Sequence, residues 1–210
     1  MSRLRIVIVD YGVGNVQSVF DAIRELRYQN VRISSARADI MASEALILPG
    51  VGAFGACVKE LRRRNLDEIL GDAVLNYRKP ILGICVGMQM MATESEENGS
   101  HLGLNWIPGR ISKLNLPETY AVPHVGWNEI NTVQTNGLFS RLTESPCFYF
   151  DHGYHFEGES KFVTAVCDYG APITAAIARD NIYGVQFHPE KSQKNGLRLL
   201  RGFFTMVSEC

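Results

Sequence analysis

The chain has 210 residues, of which 46% are hydrophobic and 20% are charged, and its formal net charge is −1 at pH 7. This composition indicates a globular protein with enough residues to bury a sizeable core, and it excludes the basic blocks typical of proteins that bind nucleic acids or membrane surfaces. No apolar run approaches the length of a membrane span and no signal-peptide pattern precedes the first strand, so we expect a cytoplasmic protein.

The chain opens with a predicted strand, a turn and a helix. Arg5 to Val9 is rich in β-branched residues, Asp10 to Asn15 is turn-like, and the segment from Val16 to Leu26 carries an apolar stripe at helical spacing. The Gly-x-Gly pair in the turn lacks the third glycine and the distant acidic residue of a dinucleotide-binding fingerprint. We instead expect a loop at the end of a sheet, whose polar side chains, Asn15 above all, face a substrate or a partner.

A second glycine-rich loop follows the third predicted strand. Val31 to Ser34 is a weak second strand, and Ala45 to Leu48 is a third strand that runs into Pro49 to Gly55. Ligand-binding loops of α/β folds lie at the carboxyl ends of strands, and exposed backbone N–H groups there can hold an anion or a developing oxyanion. A plain glycine-rich turn is the alternative. Two helices are predicted next, from about Ala53 to Arg64 and from Leu66 to Tyr77.

The segment from Pro80 to Gln89 has the pattern of a nucleophile on a strand-to-helix elbow. A short apolar run predicts a buried strand, Gly83 and Gly87 bracket Cys85, and a helix-compatible run continues to Met91. Such a turn is too tight for flanking side chains, and it places the sulfur at a helix N-terminus, which favours a thiolate. The alternative is that Cys85 is a small buried hydrophobic residue, which is common for a single cysteine.

The second half of the chain is predicted to be rich in strands. Residues 100–150 alternate between short strands and turns, and an amphipathic helix closes the chain. Further strands are expected at Cys147 to Phe150, Lys161 to Cys167, Ile173 to Ala178 and Ile182 to Phe187. No linker composition separates the halves, so we predict one domain over residues 1–210, of α/β class, with a mostly parallel central sheet and an additional antiparallel part.

A histidine and a glutamate follow the last predicted strand. His188 and Glu190 are two residues apart, which in an extended segment places both side chains on the same face, so Glu190 can orient the imidazole. A thiol near neutral pH needs such a base, and a parallel sheet could bring His188 to Cys85. His124, His152 and His155 are rival histidines, but they match no metal-ligand spacing, so we expect no metal site. The five cysteines include no Cys-x-x-Cys pair, which argues against a disulfide framework.

The motifs together resemble class I (triad-type) glutamine amidotransferases. The resemblance rests on Pro49 to Gly52, Gly83 to Gln89 and Gly184 to Glu190, and it extends in order over essentially the whole chain. Val122 to Asn128 and Asp10 to Asn15 narrow it to the glutaminase subunits that pass ammonia to a separate (β/α)8-barrel synthase subunit in histidine biosynthesis. The resemblance implies a flavodoxin-like three-layer fold, hydrolysis of glutamine to glutamate and ammonia, a heterodimer and no cofactor.

Site residues follow from the resemblance by position. Cys85 matches the nucleophile, His188 the base and acid, and Glu190 the group that orients the histidine. The oxyanion donors match the backbone N–H groups of Val86 and of the Val51-Gly52 turn. The positions that match substrate-binding residues are Gly52, Gln89, Glu97, Gly153 and Tyr154. The positions that match the face toward the synthase are Asn15, Pro123, His124, Trp127 and Asn128.

Two departures from the family pattern leave other functions open. Gly153 stands where the family usually has Ser or Thr, which removes a hydroxyl expected near the glutamine α-carboxylate, and Asp151 replaces the usual Val. His101 to Gly109 resembles a paralogous branch that supplies ammonia for amidino groups on surface-glycan sugars. Further alternatives are a catalytically silent regulatory protein of the same fold and a cysteine hydrolase acting on peptides or γ-glutamyl substrates. Gln89 and the motif around Trp127 disfavour the hydrolase.

Overall fold

A computed structural model describes residues 4–134, 137–142 and 144–209 of the chain. The strands are β1 (Ile6–Val9), β2 (Val31–Ser34), β3 (Ala45–Gly50), β4 (Ile81–Cys85), β5 (Glu94–Ser95), β6 (His101–Leu102), β7 (Gly109–Lys113), β8 (His124–Glu129), β9 (Asn131–Thr132), β10 (Cys147–His152), β11 (Tyr154–Gly158), β12 (Val163–Asp168), β13 (Pro172–Arg179) and β14 (Ile182–Val185). The α-helices are α1 (Val16–Glu25), α2 (Arg37–Ala42), α3 (Phe54–Arg63), α4 (Leu66–Gly71), α5 (Val86–Gln89) and α6 (Gln193–Glu209).

The central sheet has a parallel half and an antiparallel half. Its strand order is β2-β1-β3-β4-β14-β13-β12-β9. The first five strands in this order pair in parallel, and β13, β12 and β9 pair antiparallel. Every residue of β1, β3 and β4 is buried, as expected for parallel strands covered on both faces. The predicted fold class is confirmed.

Two smaller sheets lie beside the central one. β8 and β10 form an antiparallel pair, and β11, β7, β5 and β6 form a four-stranded sheet. The pair is joined to the end of β14 by the rings of Phe148 and Phe187, which stack with centroids 4.0 Å apart, and by the His188 N–H, which donates to the Tyr149 carbonyl at 2.9 Å. These contacts bring the antiparallel pair to the carboxyl edge of the parallel strands.

Three predicted elements differ from the structure in type or extent. The helix predicted from Leu66 to Tyr77 is α4 followed by a π-helical turn at Asp72–Asn76. The run Glu94, Glu96 and Glu97 is typical of a solvated loop, but this segment contains β5, because Glu94 and Ser95 pair with β6 and β7. The strand predicted through Phe187 ends at Val185. None of the helices in the described residues is long and apolar enough to cross a membrane.

Candidate active site

The register of three parallel strands places the predicted site residues at one edge of the sheet. β4 lies between β3 and β14, with Cys85 opposite Gly50 and Ile84 opposite Val185. The segments that follow β3 and β14 therefore leave the sheet beside Cys85, as parallel strands require. The 3-10 turn Pro189–Lys191 comes directly after His188. Cys85 and Gln186, which are far apart in sequence, thus have contacting side chains.

Cys85 has an unusual backbone conformation. Its φ is 54° and its ψ is −114°, where it ends β4 and directly precedes α5. This ψ places Cys85 outside the left-handed helical region in which most non-glycine residues with a positive φ lie, and such strained conformations cluster at functional sites. The residue is 4% exposed. The geometry is that of the predicted strand-to-helix elbow.

The glycines around Cys85 are required by close packing. A Cβ at Gly83 would lie 2.7 Å from the Met88 nitrogen, and one at Gly87 would collide with the Leu48 carbonyl. A Cβ at Gly50 would lie 2.6 Å from the Gly87 nitrogen. The expectation that Gly83 and Gly87, which bracket Cys85, cannot carry side chains is confirmed, because α5 begins in direct contact with the backbone of β3.

His188 is held between Glu190 and Cys85. Its Nδ1 lies 2.8 Å from Glu190 Oε1, and the side chains are 3% and 2% exposed. Burial by itself lowers the pKa of His188, but its interactions with Cys85 and Glu190 outweigh burial and raise that pKa to about 10. Glu190 lies in a 3-10 turn and not in an extended strand, so the turn, and not strand alternation, brings its carboxylate to the ring.

These residues open onto a cavity of about 240 Å³. The cavity is lined by Val51, Gly52, Cys85, Val86, Gln89, Glu97, Pro123, Asp151, His152, Gly153, Tyr154, His188 and Lys191. It therefore brings together all the predicted oxyanion and substrate-binding positions with Cys85 and His188. Glu190 lies behind His188 and does not line the cavity.

The predicted substrate-binding side chains are already engaged in hydrogen bonds. Gln89 donates its Nε2 to the Tyr154 carbonyl and to Gln186 Oε1, both at 3.0 Å. Glu97 Oε2 accepts the Phe54 N–H at 2.6 Å, at the start of α3. Such contacts hold the two side chains in fixed positions at the cavity wall, which is what a specific small-molecule site requires.

The loop after β3 is held from beneath by two side chains. The Tyr11 hydroxyl donates to the Pro49 carbonyl at 2.9 Å, and the Cys57 thiol donates to the Val51 carbonyl at 3.3 Å. In a trans peptide the carbonyl and the following N–H point in opposite directions, so the Gly52 N–H points away from Cys57. Gly52 lines the cavity, its φ is +87°, and no atom lies within 4 Å of a Cβ built on it.

The residues predicted to face the synthase occupy different environments. Trp127 is 49% exposed on β8, and Asn128 donates to the Asp168 carbonyl at 2.9 Å. Pro123 lines the cavity after a cis Val122-Pro123 bond. Asn15 is half-buried before α1 and does not line the cavity. His124 is only 2% exposed, so its ring lies inside the molecule.

Four residues near Cys85 were not among the predicted site residues. Asp151, His152 and Lys191 line the cavity, and Gln186 donates to Cys85 Sγ at 3.7 Å. Gln186 stands in the same motif as His188, and Lys191 directly follows Glu190, so proximity in sequence was an available signal. The position of His152 at the cavity results from strand pairing, which no local sequence pattern indicates. Within the described residues, no group of three or more His, Cys, Asp or Glu side chains could hold a metal ion.

Comparison with known proteins shows the family to which this chain belongs. Residues 7–207 match the family model described as glutamine amidotransferase class-I. The chain therefore belongs to the class I glutamine amidotransferases. Among solved structures, it resembles PurLQS from Thermotoga maritima (TM-score 0.75, 14% identity, 98% of this chain and 100% of that one). It also resembles the glutaminase domain of CTPS from Trypanosoma brucei (TM-score 0.65, 15% identity, 96% and 94%). At these identities the structures support the fold alone.

Curated relatives narrow the family. The chain is 42% identical over 203 residues to imidazole glycerol phosphate synthase subunit HisH of Leptospira borgpetersenii, covering 95% of this chain and 98% of that protein. It is 41% identical over 204 residues to subunit HisH 2 of Vibrio vulnificus, covering 97% and 95%. Within its class, the chain belongs to the HisH subunits of imidazole glycerol phosphate synthase. The resemblance seen in the sequence and the prediction of a glutamine amidotransferase are both confirmed.

Proposed function

We propose that Cys85, His188 and Glu190 hydrolyse L-glutamine to glutamate and ammonia, and that the ammonia passes to a (β/α)8-barrel synthase subunit in histidine biosynthesis. One observation carries the proposal. Cys85 sits on a strained elbow at the wall of a cavity that His188 also lines, and His188 Nδ1 is 2.8 Å from Glu190 Oε1. A nucleophile, a base and an orienting carboxylate in that order are the requirements of covalent acyl transfer.

The first half-reaction forms a thioester. The Cys85 thiolate attacks the side-chain amide carbon of glutamine, and the carbonyl oxygen becomes an oxyanion. As the intermediate collapses, the carbon–nitrogen bond breaks and the protonated His188 gives its proton to the leaving ammonia. The pKa of His188, raised to about 10, keeps the imidazole protonated at neutral pH, so a proton is available for the leaving group.

The second half-reaction consumes one water. His188, now neutral, takes a proton from the water, which attacks the thioester carbon and again forms an oxyanion. Collapse breaks the carbon–sulfur bond, releasing glutamate and regenerating the Cys85 thiolate with protonated His188. The Glu190 carboxylate keeps Nδ1–H in place in both steps, so Nε2 is the atom that exchanges protons with the substrate.

The backbone N–H groups of Val86 and of the Val51-Gly52 turn are the proposed oxyanion donors. Val86 begins α5 directly after the nucleophile, and it lines the same cavity as the turn. The loss of one such donor costs about 3 kcal/mol in the activation barrier. We propose that glutamine hydrolysis stays low until the synthase, with its own ligand bound, reorders the loop from Pro49 to Gly52. Full turnover by the isolated chain would exclude this regulation.

The remaining assigned roles are proposals that the cavity supports. Gly52, Gln89, Glu97, Gly153 and Tyr154 would hold glutamine, because all five line the cavity beside Cys85. The synthase would dock where Trp127 is exposed, together with Asn15, Pro123, His124 and Asn128. His124 would support that surface without contacting the synthase, because its ring is buried.

We further infer that residues 1–210 act as one domain in the cytoplasm. The single-domain inference is supported by one buried apolar cluster that includes residues from Leu4, just before β1, to Phe204 in α6. The location is inferred from the sequence.

The test compares glutamine and ammonia as nitrogen sources for the synthase complex. With Cys85→Ala, we expect glutamine-dependent product formation to disappear while the synthase still uses free ammonia. Cys147→Ala, which removes a partly exposed cysteine on β10, is the matched control and keeps both activities. Glutamine-dependent turnover in Cys85→Ala would overturn the assignment of the nucleophile. Complementation of a histidine auxotroph separates this function from the paralogous supply of ammonia to sugars.

A further inference from the structure

A buried chain of hydrogen bonds runs from Cys85 to His124, and one carbonyl sets its direction. The Tyr154 carbonyl oxygen, which can only accept, receives Gln89 Nε2 at 3.0 Å and His152 Nδ1 at 2.9 Å. The atom of Gln89 that faces this oxygen must therefore be the amide nitrogen. By the same reasoning, the proton of the neutral His152 ring is on Nδ1.

The direction set at Tyr154 propagates to the nucleophile. The Gln89 amide nitrogen also lies 3.0 Å from the side-chain amide of Gln186, so the atom of Gln186 that faces it must be the oxygen. The other end of that planar amide is then its NH₂ group, which faces Cys85 Sγ at 3.7 Å. Gln186 is 0% exposed and Gln89 is 3% exposed, so neither amide can turn over without losing buried partners.

We propose that Gln186 is a further catalytic residue of the glutaminase reaction, because its amide N–H donates a hydrogen bond to the Cys85 sulfur and stabilises the thiolate. The inference rests on the function proposed above and adds a group to that site. An N–H that donates to the charged form of an acid favours that form, and the effect is larger where water is excluded. Gln89 acts through Gln186 and is in this respect a positioning residue.

Gln186 adds a second donor to the sulfur beside the protonated His188. In the mechanism above, His188 is protonated both before attack and when the thioester breaks, but between these points its proton moves to and from the substrate. The Gln186 amide has no titrating proton, so it donates to the sulfur at every step. We therefore expect it to matter whenever negative charge returns to the sulfur, both before attack and when the thioester breaks.

The test measures the alkylation of Cys85 by iodoacetamide as a function of pH in the full chain, quantified by mass spectrometry of the peptide that contains Cys85. Gln186→Met keeps the side-chain volume but removes both the donor to Cys85 and the acceptor for Gln89, whereas Gln186→Glu keeps that acceptor and places a carboxylate oxygen opposite the sulfur. For Gln186→Met we expect the pH midpoint of alkylation to rise by about one unit, and for Gln186→Glu we expect a larger rise. Gln17→Met, on the exposed face of α1, is the control and leaves the midpoint unchanged.

Kinetics in the complex with the synthase supply a second readout. We expect kcat for glutamine to fall about tenfold to a hundredfold in Gln186→Met while KM changes less than twofold, because the amide touches the sulfur and not the bound substrate. Ammonia-dependent synthesis should remain at the wild-type rate. Unchanged alkylation profiles in both variants would overturn the proposal, as would a fall in activity expressed only in KM.

The failure of this inference can be told apart from the failure of the proposed function. If wild-type Cys85 is not labelled stoichiometrically by an electrophilic glutamine analogue, the function assigned to the site is wrong, and the role of Gln186 falls with it. If wild type is labelled and Gln186→Met behaves as wild type, only the Gln186 proposal is wrong. Thermal unfolding and binding of the synthase verify that each variant is folded, and Gln186→Glu serves where Gln186→Met does not fold.

Discussion

The cavity has two walls that are held in place by different kinds of interaction. The sheet wall consists of Val51, Gly52, Cys85, Val86 and His188, all at the ends of neighbouring parallel strands. The antiparallel wall consists of Pro123, Asp151, His152, Gly153 and Tyr154, around the β8–β10 pair. Strand register and close-packed glycines position the sheet wall, whereas a buried pair of histidines supports the antiparallel wall.

The histidine pair connects the surface strand β8 to the cavity. His124 Nδ1 lies 3.1 Å from His152 Nε2, and the His124 ring stacks on Tyr169 with centroids 3.9 Å apart. Burial lowers the pKa of His124 to about 4 and that of His152 to about 3, so both rings are neutral at pH 7. The groups that transfer protons therefore lie in the sheet wall, which strand register and glycine packing position. The antiparallel wall, beside the expected synthase surface, is supported by a neutral histidine pair.

The largest effect is expected from a change to the charge of the sheet wall. Glu190→Gln can keep an oxygen for His188 Nδ1, because Oε1 makes that contact and no hydrogen bond to Oε2 is present in the described residues. The variant therefore removes the negative charge, keeps an oxygen opposite Nδ1, and places an NH₂ group at the buried Oε2 position, which has no hydrogen-bond partner. We expect kcat for glutamine to fall on the order of a hundredfold, since the imidazolium loses its partner.

The pH dependence of stability tests the same substitution. His188 has a folded-state pKa above its unfolded value, so its contribution to stability is complete below about pH 6.5 and is lost as pH rises toward 10. In Glu190→Gln the folded-state pKa of His188 should be lower, so we expect the loss to be smaller and to end at a lower pH, as measured by urea unfolding between pH 7 and pH 10. Wild-type kinetics and an unchanged alkaline profile would show that the carboxylate is dispensable.

We expect the antiparallel wall to reduce the stability of the folded protein as the pH falls. Both histidines of the pair have folded-state pKa values below the unfolded value of about 6.5, so stability is complete above that pH and decreases as pH falls toward 4 and 3. Each histidine contributes a slope of up to about 1.4 kcal/mol per pH unit, or about 2 kcal/mol between pH 6.5 and pH 5. Urea unfolding at pH 7 and pH 5 measures this loss.

A variant of the pair isolates its contribution. His152→Asn retains a donor for the Tyr154 carbonyl and no longer titrates, so we expect its unfolding free energy to fall less than that of wild type between pH 7 and pH 5. His101→Asn, on the short strand β6 away from the pair, should retain the wild-type slope. Equal slopes in wild type and His152→Asn would mean that the pair does not control acid stability.

A smaller effect is expected from adding a side chain to the antiparallel wall. A Cβ at Gly153 would lie 3.8 Å from Pro123 Cβ and 3.9 Å from Val122 Cγ1, which is ordinary contact, so the position can accept a residue. Gly153→Ser would restore the hydroxyl that the family usually has beside the glutamine α-carboxylate. One hydrogen bond of about 1 kcal/mol should lower KM about fivefold and leave kcat unchanged. Gly153→Ala, without the hydroxyl, should leave KM at the wild-type value, and a fall in KM with alanine would refute the explanation.

The smallest effect concerns the support of the loop in the sheet wall. Cys57→Ala removes the donor to the Val51 carbonyl, and we expect kcat in the synthase complex to fall about twofold to fivefold, as for one weak hydrogen bond. Cys57→Ser keeps a donor and should retain activity. Cys167→Ala removes another fully buried cysteine, on β12 and outside the cavity, and controls for the loss of packing. Equal activity in all three variants would show that the thiol does not position the loop.

Local sequence patterns were enough to predict almost all of the sheet wall. The apolar strands, the glycines around Cys85 and the motif that contains His188 are local patterns, and parallel pairing places the carboxyl ends of such strands at the same edge. The predicted positions Val51, Gln89 and Glu97 lie at the cavity, as the resemblance to the family implied. What the local pattern misjudged was the geometry after β14, where a 3-10 turn, and not strand alternation, brings Glu190 to His188.

The contacts of the antiparallel wall and the partners of the catalytic groups depend on the tertiary structure. His124 and His152 meet because β8 pairs with β10 in one register, and Gln186 meets Cys85 and Gln89 because β14 lies beside β4. Hydrogen bonds between side chains of distant segments have no period and no fixed spacing, so no local pattern records them. Burial, which sets the pKa values of the histidines and the direction of the amide chain, is likewise a property of the packed molecule.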